Sequence, residues 1–405
     1  MIIIGTLLLS LSNSNIITQD DRKITYTECE MSLDSYKFTL IHPKQHVTSY
    51  FLIDLTKDYN VISSNHDENK CSNTRVQFEF LRYNNTLFNG VICISHPEIS
   101  IRNHDLLNTL TLYLLTDERP PNGKFFMGFS AKVTDPNRSI VYMLYEKGTI
   151  NHLSFAFLVS QPIQYSDITM YFGGVPKEVL SNKIKGSCKV NNSKLTWSCQ
   201  LNNIIIGNVT NPLHVISNND YSYFNTIHQE IYTPEWFFNE TIENLYLKEP
   251  ISKGACKIKI IEGITSYLCN YEVVNTLNDI SFQFDDYVYN IDKHYLFDCR
   301  SYSNSCMLLL QKRSNIKDYW VIGITFMKNF DMEFDYEDQE VRLYTSNNSK
   351  FNSSIIKLPD TSHLNSILNI NVISLIKKCI YMCILLLSID VFIIIYTKHK
   401  LNIYY

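Results

Sequence analysis

The sequence lacks any run of Lys or Arg longer than two or three residues, and its 36 Lys and Arg are outnumbered by 40 Asp and Glu. The net charge of -4 and the pI near 6.3 give no basic surface for a nucleic acid backbone. No Cys-x-x-Cys spacing is present, and the spacings of the eleven histidines do not support a metal site. These features exclude nucleic acid as a partner and predict neither a metal nor another cofactor.

Strand signals are abundant and helical signals are few. The 405 residues, 45% of them hydrophobic, are enough for one large bilobal core or two separate cores. Short runs of β-branched and aromatic residues, separated by Asn, Asp, Gly and Pro, predict strands from residue 24 to residue 343. Residues 139–148 and 233–247 carry the start signals of single helices. The chain is therefore predicted to be mostly β and to have two lobes.

Apolar segments lie at both ends of the chain. The first resembles a signal peptide, although it lacks the usual basic start. The second, residues 379–396, is apolar except for Ser388 and Asp390 and would span roughly 27 Å as a helix. A buried C-terminal helix is the alternative interpretation. If residues 379–396 cross a membrane, the sequence predicts a signal peptide at residues 1–17, a stalk at 347–376, a transmembrane helix at 379–396 and a cytosolic tail at 397–405.

Cysteines and glycosylation sequons indicate an oxidising compartment. Nine of the eleven cysteines precede the second apolar segment, and because nine is odd, at least one is free or pairs between chains. Cys188 and Cys199 flank a stretch that reads as a hairpin, which could bring them within bridging distance. The predicted location is the secretory pathway or cell surface, as a single-pass membrane protein. The sequons are Asn84, Asn137, Asn191, Asn208, Asn239, Asn347 and Asn352.

Residues 319–344, YWVIGITFMKNFDMEFDYEDQEVRLY, read as a buried strand closed by Gly323, a half-buried strand at 330–334, an acidic turn and a further strand. This segment resembles the closing segment of the pepsin-like aspartic proteases (peptidase family A1), with Ile324 where the family has Asp. Four more segments resemble that family in the same order along the chain: NGKFFMGFSA, IVYMLYEKGTINHLSFAFLVSQ, ITMYFGGVP and SKLTWSCQLNNIIIGN.

The resemblance implies a bilobal double-ψ β-barrel fold with an interlobe cleft, an N-terminal lobe at 24–177 and a C-terminal lobe at 178–346. Each lobe of the family contributes an Asp-Thr-Gly-Ser/Thr loop, and the two carboxyl groups share one proton, as in pepsin, the standard example. In SYFLIDLTKDYNVIS, Asp54 matches the catalytic position. A simple strand-end Asp is the alternative interpretation of this residue.

The loop after Asp54 departs from the family pattern, because Leu55, Thr56 and Lys57 replace Thr, Gly and Ser. Leu55 is expected to leave open the hydrogen bond that joins the lobes, and Thr56 adds a side chain where the family has none. Lys57 is expected to hold Asp54 ionised by charge attraction.

The second loop is best matched by NTIHQEIYTP, where Pro234 sets the register. Asn225 then occupies the position of the second catalytic Asp, a degenerate substitution, and Thr226 is retained. Asp220 is the only nearby carboxylate, five residues out of register. FEFLRYNNTLFNGVICI resembles the flap hairpin that closes over substrate, with Tyr83 at the flap tyrosine, although packing alone would also explain an aromatic residue there. The resemblance further implies a disulfide between Cys269 and Cys306.

Three functions follow from these patterns. The first is a membrane-anchored A1 peptidase homologue, catalytically impaired or inactive, that binds a peptide or protein segment in its cleft. The second is an active aspartic-type endopeptidase whose loops are aligned differently. The third is a surface interaction protein that uses the pepsin fold only as a scaffold.

Overall fold

β-strands dominate the fold, as the sequence predicts. A computed structural model describes part of the 405-residue chain. Residues 1–356 form one compact unit, and residues 357–405 form a second unit described only at 357 and 358. The described residues are 17–19, 22–24, 27–32, 37–41, 48–58, 60–62, 71–80, 86–94, 111–115, 125–159, 167–175, 177–181, 183–261, 263–299, 304–313, 319–346 and 353–358.

Two large sheets follow a two-stranded ribbon of β1 (Ile17–Gln19) and β2 (Arg22–Ile24). The first sheet contains β3 (Thr27–Ser32), β4 (Lys37–Ile41), β5 (Thr48–Asp54), β6 (Asn60–Ile62), β7 (Cys71–Phe80), β8 (Thr86–Ile94), β9 (Thr111–Leu115), β10 (Phe125–Gly128), β11 (Ser154–Val159), β12 (Asp167–Phe172), β13 (Lys185–Lys189), β26 (Phe330–Asp335) and β27 (Glu340–Thr345). The second contains β14 (Ser198–Asn208), β15 (Asn211–Ser217), β16 (Tyr221–Phe224), β17 (Ile231–Thr233), β18 (Cys256–Ile261), β19 (Ile264–Asn270), β20 (Ile280–Phe284), β21 (Tyr287–Ile291), β22 (Phe297–Asp298), β23 (Ser305–Leu308), β24 (Leu310–Arg313), β25 (Trp320–Ile322) and β28 (Ser354–Lys357).

Strands from both halves of the sequence share the first sheet. β11 pairs with β26, and β13 pairs with β27, in antiparallel register. Aromatic side chains pack behind this junction: Phe155 and Trp197 lie 4.9 and 5.2 Å, centroid to centroid, from Phe334. The Trp197 indole N–H donates to the carbonyl of Phe129 at 2.7 Å. The two halves of the chain are therefore held together by one sheet and one aromatic core.

Both predicted helices are confirmed. The first begins after Ser139 and ends before Gly148, whose φ of 66° suits glycine. The second begins after Pro234 and continues as a π-helical segment. The helices are α1 (Ile140–Glu146), α2 (Lys177–Leu180), α3 (Glu235–Phe237) with the π-helical segment Phe238–Tyr246, α4 (Lys248–Ser252), α5 (Tyr271–Thr276) and α6 (Ile324–Met327), with 3-10 turns at Pro136–Arg138 and Lys293–Tyr295.

The closing hairpin differs from its sequence prediction in one respect. The prediction that residues 330–334 form a half-buried strand is wrong, because all six residues of β26 (Phe330–Asp335) are buried. Lys183 forms an ion pair with Asp331, and Arg342 pairs with Asp335 at 2.6 Å. The acidic face of β26 is therefore neutralised inside the fold and does not require water.

Three disulfides form among the described residues. The structure bonds Cys188 to Cys199, as the hairpin predicts. The predicted disulfide between Cys269 and Cys306 is wrong, because Cys269 bonds to Cys256 and Cys306 bonds to Cys299. The register explains the error: Cys269 of β19 lies opposite both Cys256 of β18 and Cys306 of β23. Either neighbour is within reach, and the structure uses Cys256.

The predicted terminal segments lie outside the described residues. These are the signal peptide at 1–17, except residue 17, the transmembrane helix at 379–396 and the tail at 397–405. Within the part of the chain that the structure describes, no helix is long and apolar enough to cross a membrane. In the predicted stalk, residues 354–357 form β28 beside β21, and Ile355 is buried. Residues 354–356 therefore belong to the first compact unit and not to a linker.

Candidate active site

Two loops of similar construction carry Asp54 and Asn225. β5 ends at Asp54 and runs parallel to β10, with Gly128 opposite Asp54. β16 ends one residue before Asn225 and runs parallel to β25, which ends one residue before Gly323. Asp54 and Asn225 therefore stand at equivalent ends of two parallel strand pairs. Asp220 lies at the other end of β16, so it does not belong to this loop.

The Asp54 carboxyl is buried and held by its own loop. Its Oδ1 accepts the backbone N–H of Thr56 at 2.8 Å and the Thr56 hydroxyl at 2.6 Å. Burial raises the pKa of Asp54, and the opposing effects of the Thr56 hydrogen bonds and the Lys57 charge do not offset it. The side chain that Thr56 adds therefore supports the carboxyl. The expected effect of Lys57 is corrected, because its charge does not hold the pKa of Asp54 below its usual range.

The Asn225 side chain is fully buried in the second loop. Its Oδ1 accepts the backbone N–H groups of Ile227 at 2.7 Å and His228 at 3.1 Å. The first of these bonds repeats the one from Thr56 to Asp54, since each joins a residue to the N–H two positions later. The amide Nδ2 makes no hydrogen bond within the described residues. An Asp at this position would have its second carboxyl oxygen in place of that N–H donor.

One hydrogen bond joins the two loops directly. The hydroxyl of Thr226 donates to the backbone carbonyl of Ile53 at 2.5 Å, and both residues are buried. The equivalent position in the first loop is Leu55, which is fully buried and has no hydroxyl. The chain thus retains one of the two reciprocal hydrogen bonds that the resemblance implies.

Gly323 allows the second loop to pass close behind β25. The N–H groups of Ile324 and Thr325 donate at 2.9 Å to the carbonyls of His228 and Gln229. A Cβ on Gly323 would lie 2.0 Å from the carbonyl oxygen of Glu230. Only glycine permits this approach, which fixes the position of the loop that follows Asn225.

A sequence profile of the eukaryotic aspartyl protease family matches residues 55–345 of the chain. The chain belongs to this family. Among solved structures, an aspartic proteinase from Irpex lacteus is similar, with a TM-score of 0.60 and 11% identity over 80% of this chain and 98% of that one. At this identity the likeness shows the fold alone. No curated protein is significantly similar in sequence.

Other features of this aspartyl protease family member are described only in part. β7 and β8 form the antiparallel hairpin expected for the flap, but Tyr83 lies outside the described residues. Among the described residues, no three His, Cys, Asp or Glu side chains gather as a metal site would require.

The sequence analysis missed Tyr223, two residues before Asn225. Its hydroxyl lies within electrostatic reach of the Asp54 carboxyl, which raises the pKa of Tyr223 in addition to the larger effect of burial. Period-2 spacing along β16 was the available signal, because it places Tyr223 and Asn225 on the same side of the strand.

Proposed function

We propose that this eukaryotic aspartyl protease family member does not hydrolyse peptides and instead binds an extended peptide or protein segment beside Asp54 and Asn225. One observation carries this proposal. Asn225 occupies the position equivalent to Asp54 and repeats its hydrogen bond to the N–H two residues later. The second loop is therefore built like the first, with an amide where a second carboxyl group would be needed.

The chemistry of the family explains why this exchange abolishes hydrolysis. Two carboxyl groups share one proton, so that one activates water and the other supports the developing oxyanion. A neutral amide cannot accept a proton from water, and the shared proton has no second site. Burial raises the pKa of Asp54, but a single carboxyl does not replace the pair. Loss of one essential group typically lowers hydrolase rates by about 10⁴ to 10⁶.

The same groups suit binding. The Asn225 Nδ2 is a buried donor without a partner among the described residues, and the Asp54 carboxyl is an acceptor. A peptide backbone offers the complementary carbonyl and N–H groups. A buried donor left unpaired costs free energy, so a ligand that supplies an acceptor is favoured.

Hydrolysis of a peptide library by the full-length protein between about pH 3 and 7 tests the proposal, since the upper pKa of the pepsin dyad, about 4.7, lies in this range. We expect no cleavage. We also expect the protein to retain some library peptides, and a statine-type transition-state analogue to displace them. Asn225→Asp alone is expected to remain inactive, because Leu55 still leaves one interlobe hydrogen bond unmade. Cleavage by the unmodified protein that disappears in Asp54→Ala would establish an active endopeptidase instead. Retention of no peptide would favour a scaffold role.

We also propose that the chain is exported and anchored by residues 379–396. The apolar character of this segment and its flanking lysines support the proposal. In microsomes, added protease is expected to remove only a tail of a few residues. Release of the full-length protein by carbonate extraction would contradict the anchor.

A further inference from the structure

The second sheet has two differently composed faces near Asn225. Phe224 and Ile322 point to the main core. Tyr223, Val321 and Tyr232 lie opposite one another on β16, β25 and β17 and form a separate cluster. Because directly opposed residues share a sheet face, these three side chains lie on the face turned away from the main core.

Arg313 joins this face from β24. Tyr232 lies opposite Gln311, and Arg313 follows Gln311 by two residues, which places it on the same face. Its guanidinium lies over the Tyr232 ring, 5.7 Å from the centroid. Arg313 makes no ion pair within the described residues. The Tyr232 hydroxyl, on the same residue, donates to the Glu230 carboxylate at 3.4 Å.

Tyr319 completes a partly exposed patch. It precedes Val321 by two residues, and its ring lies 5.6 Å from that of Tyr223, centroid to centroid. Tyr319 is 40% exposed, and Tyr223 and Arg313 are half-buried. We call Tyr223, Arg313 and Tyr319 the arginine–tyrosine patch.

The patch adjoins the candidate active site. Tyr223 stands two residues before Asn225 on one strand. Burial raises the pKa of the Tyr223 hydroxyl, Tyr319 and Asp54 raise it further, and Arg313 lowers it. Both the carboxyl of Asp54 and the guanidinium of Arg313 therefore act electrostatically on the Tyr223 hydroxyl. A ligand seated beside Asp54 therefore reaches the patch within one or two residues.

We propose that the arginine–tyrosine patch binds the carboxylate of an acidic residue in the peptide held beside Asp54 and Asn225. A guanidinium presents a planar fork of N–H donors that matches a carboxylate. The hydroxyls of Tyr223 and Tyr319 are hydrogen-bonded to each other, which leaves one O–H as a further donor. The Arg313 guanidinium, which makes no ion pair among the described residues, is a poor site for a cation and a costly one for an aliphatic group. The inference rests on the proposed peptide binding and specifies which peptides are bound.

The test measures binding of fluorescein-labelled decapeptides to the full-length protein in detergent, near pH 6. Each peptide carries Glu or Gln at one position, scanned along the sequence. We expect the Glu form to bind about 10- to 100-fold more tightly at one position, the range typical of hydrogen bonds to a charged group. Arg313→Gln is expected to remove this preference and leave the affinity for the Gln peptide unchanged.

Lys312→Gln is the matched control. Lys312 is adjacent in β24 but lies on the other face, with its ammonium over the Phe238 ring. Lys312→Gln should leave the preference for the Glu peptide intact. If Lys312→Gln lost this preference as fully as Arg313→Gln, non-specific charge attraction would explain the result and the inference would be overturned. Tyr223→Phe keeps the ring packing and is expected to reduce the preference partly. If Glu and Gln peptides bind equally at every position, the role of the arginine–tyrosine patch is overturned and the proposed peptide binding stands. If no peptide binds, the proposed peptide binding is overturned as well.

Discussion

The hydroxyl of Thr226 donates to the backbone carbonyl of Ile53 and so joins the loop of Asn225 to the loop of Asp54. Both ends of this hydrogen bond are buried. We predict that Thr226→Val lowers the free energy of unfolding by about 1 to 3 kcal/mol, because the hydroxyl is lost and its acceptor stays buried. Chemical denaturation measures the change.

Thr226→Ser is the control, since it retains the hydroxyl and removes one methyl group. It should cost clearly less than Thr226→Val. If the two variants were equally destabilised, packing of the methyl group would account for the effect, and the hydrogen bond between the loops would be energetically unimportant.

The second loop could be located from the sequence because its signals are local. Pro234 and the helix that follows it set the register, which placed Asn225 and Thr226 at the end of a strand, where the structure has them. The burial of β26 could not be predicted, since one of the two cations that neutralise it, Lys183, is remote in sequence from its partner Asp331. Nor could the position of Arg313 beside Tyr232, which requires the pairing of β24 with β17.

Close passage of the second loop behind Gly323 gives a second prediction. We expect Gly323→Ala to prevent folding or to lower the free energy of unfolding by roughly 3 kcal/mol or more. The added Cβ would meet the carbonyl oxygens of Glu230 at 2.0 Å and His228 at 2.6 Å, which are backbone atoms and cannot rotate away. Soluble yield and thermal unfolding report the effect.

Gly148→Ala provides the comparison. A Cβ added at Gly148 would meet no atom within 4 Å, so only the positive φ of this residue opposes the substitution. A cost of about 1 kcal/mol is expected there. A Gly323→Ala protein as stable as Gly148→Ala would contradict the close approach.

The four cysteines at positions 256, 269, 299 and 306 give a third prediction. In the double variant Cys256→Ser, Cys299→Ser, the two remaining cysteines, Cys269 and Cys306, face each other across β19 and β23. We expect them to form a disulfide with each other, detectable by peptide mapping without reduction. Replacement of two short loops by one longer loop should lower the free energy of unfolding by roughly 1 to 2 kcal/mol on the chain-entropy estimate. Two free thiols in the folded variant would show that β19 and β23 are not in this register.

His152 links the loop after α1 to the closing hairpin. Its Nε2 lies 2.8 Å from Asp335 and its Nδ1 lies 3.1 Å from Glu337. The hydrogen bond to Asp335 raises the pKa of His152 above its ordinary value of 6.5, although burial opposes the shift and the charges of Glu337 and Glu333 assist it. Burial acts to raise the pKa of Asp335, but the hydrogen bond from His152 and the charge of Arg342 outweigh it and bring that pKa to about 2.

The raised pKa of His152 predicts how stability depends on pH. A base whose pKa is higher in the folded state contributes its full stability below the unfolded pKa, here 6.5, and loses it as the pH rises through the folded pKa. Asp335 stays ionised throughout this range, so the loss belongs to His152. We predict that the melting temperature of the unmodified protein falls more steeply above pH 6.5 than that of His152→Gln, and that the two curves converge at high pH. Parallel curves would show that the contact with Asp335 does not raise the pKa of His152.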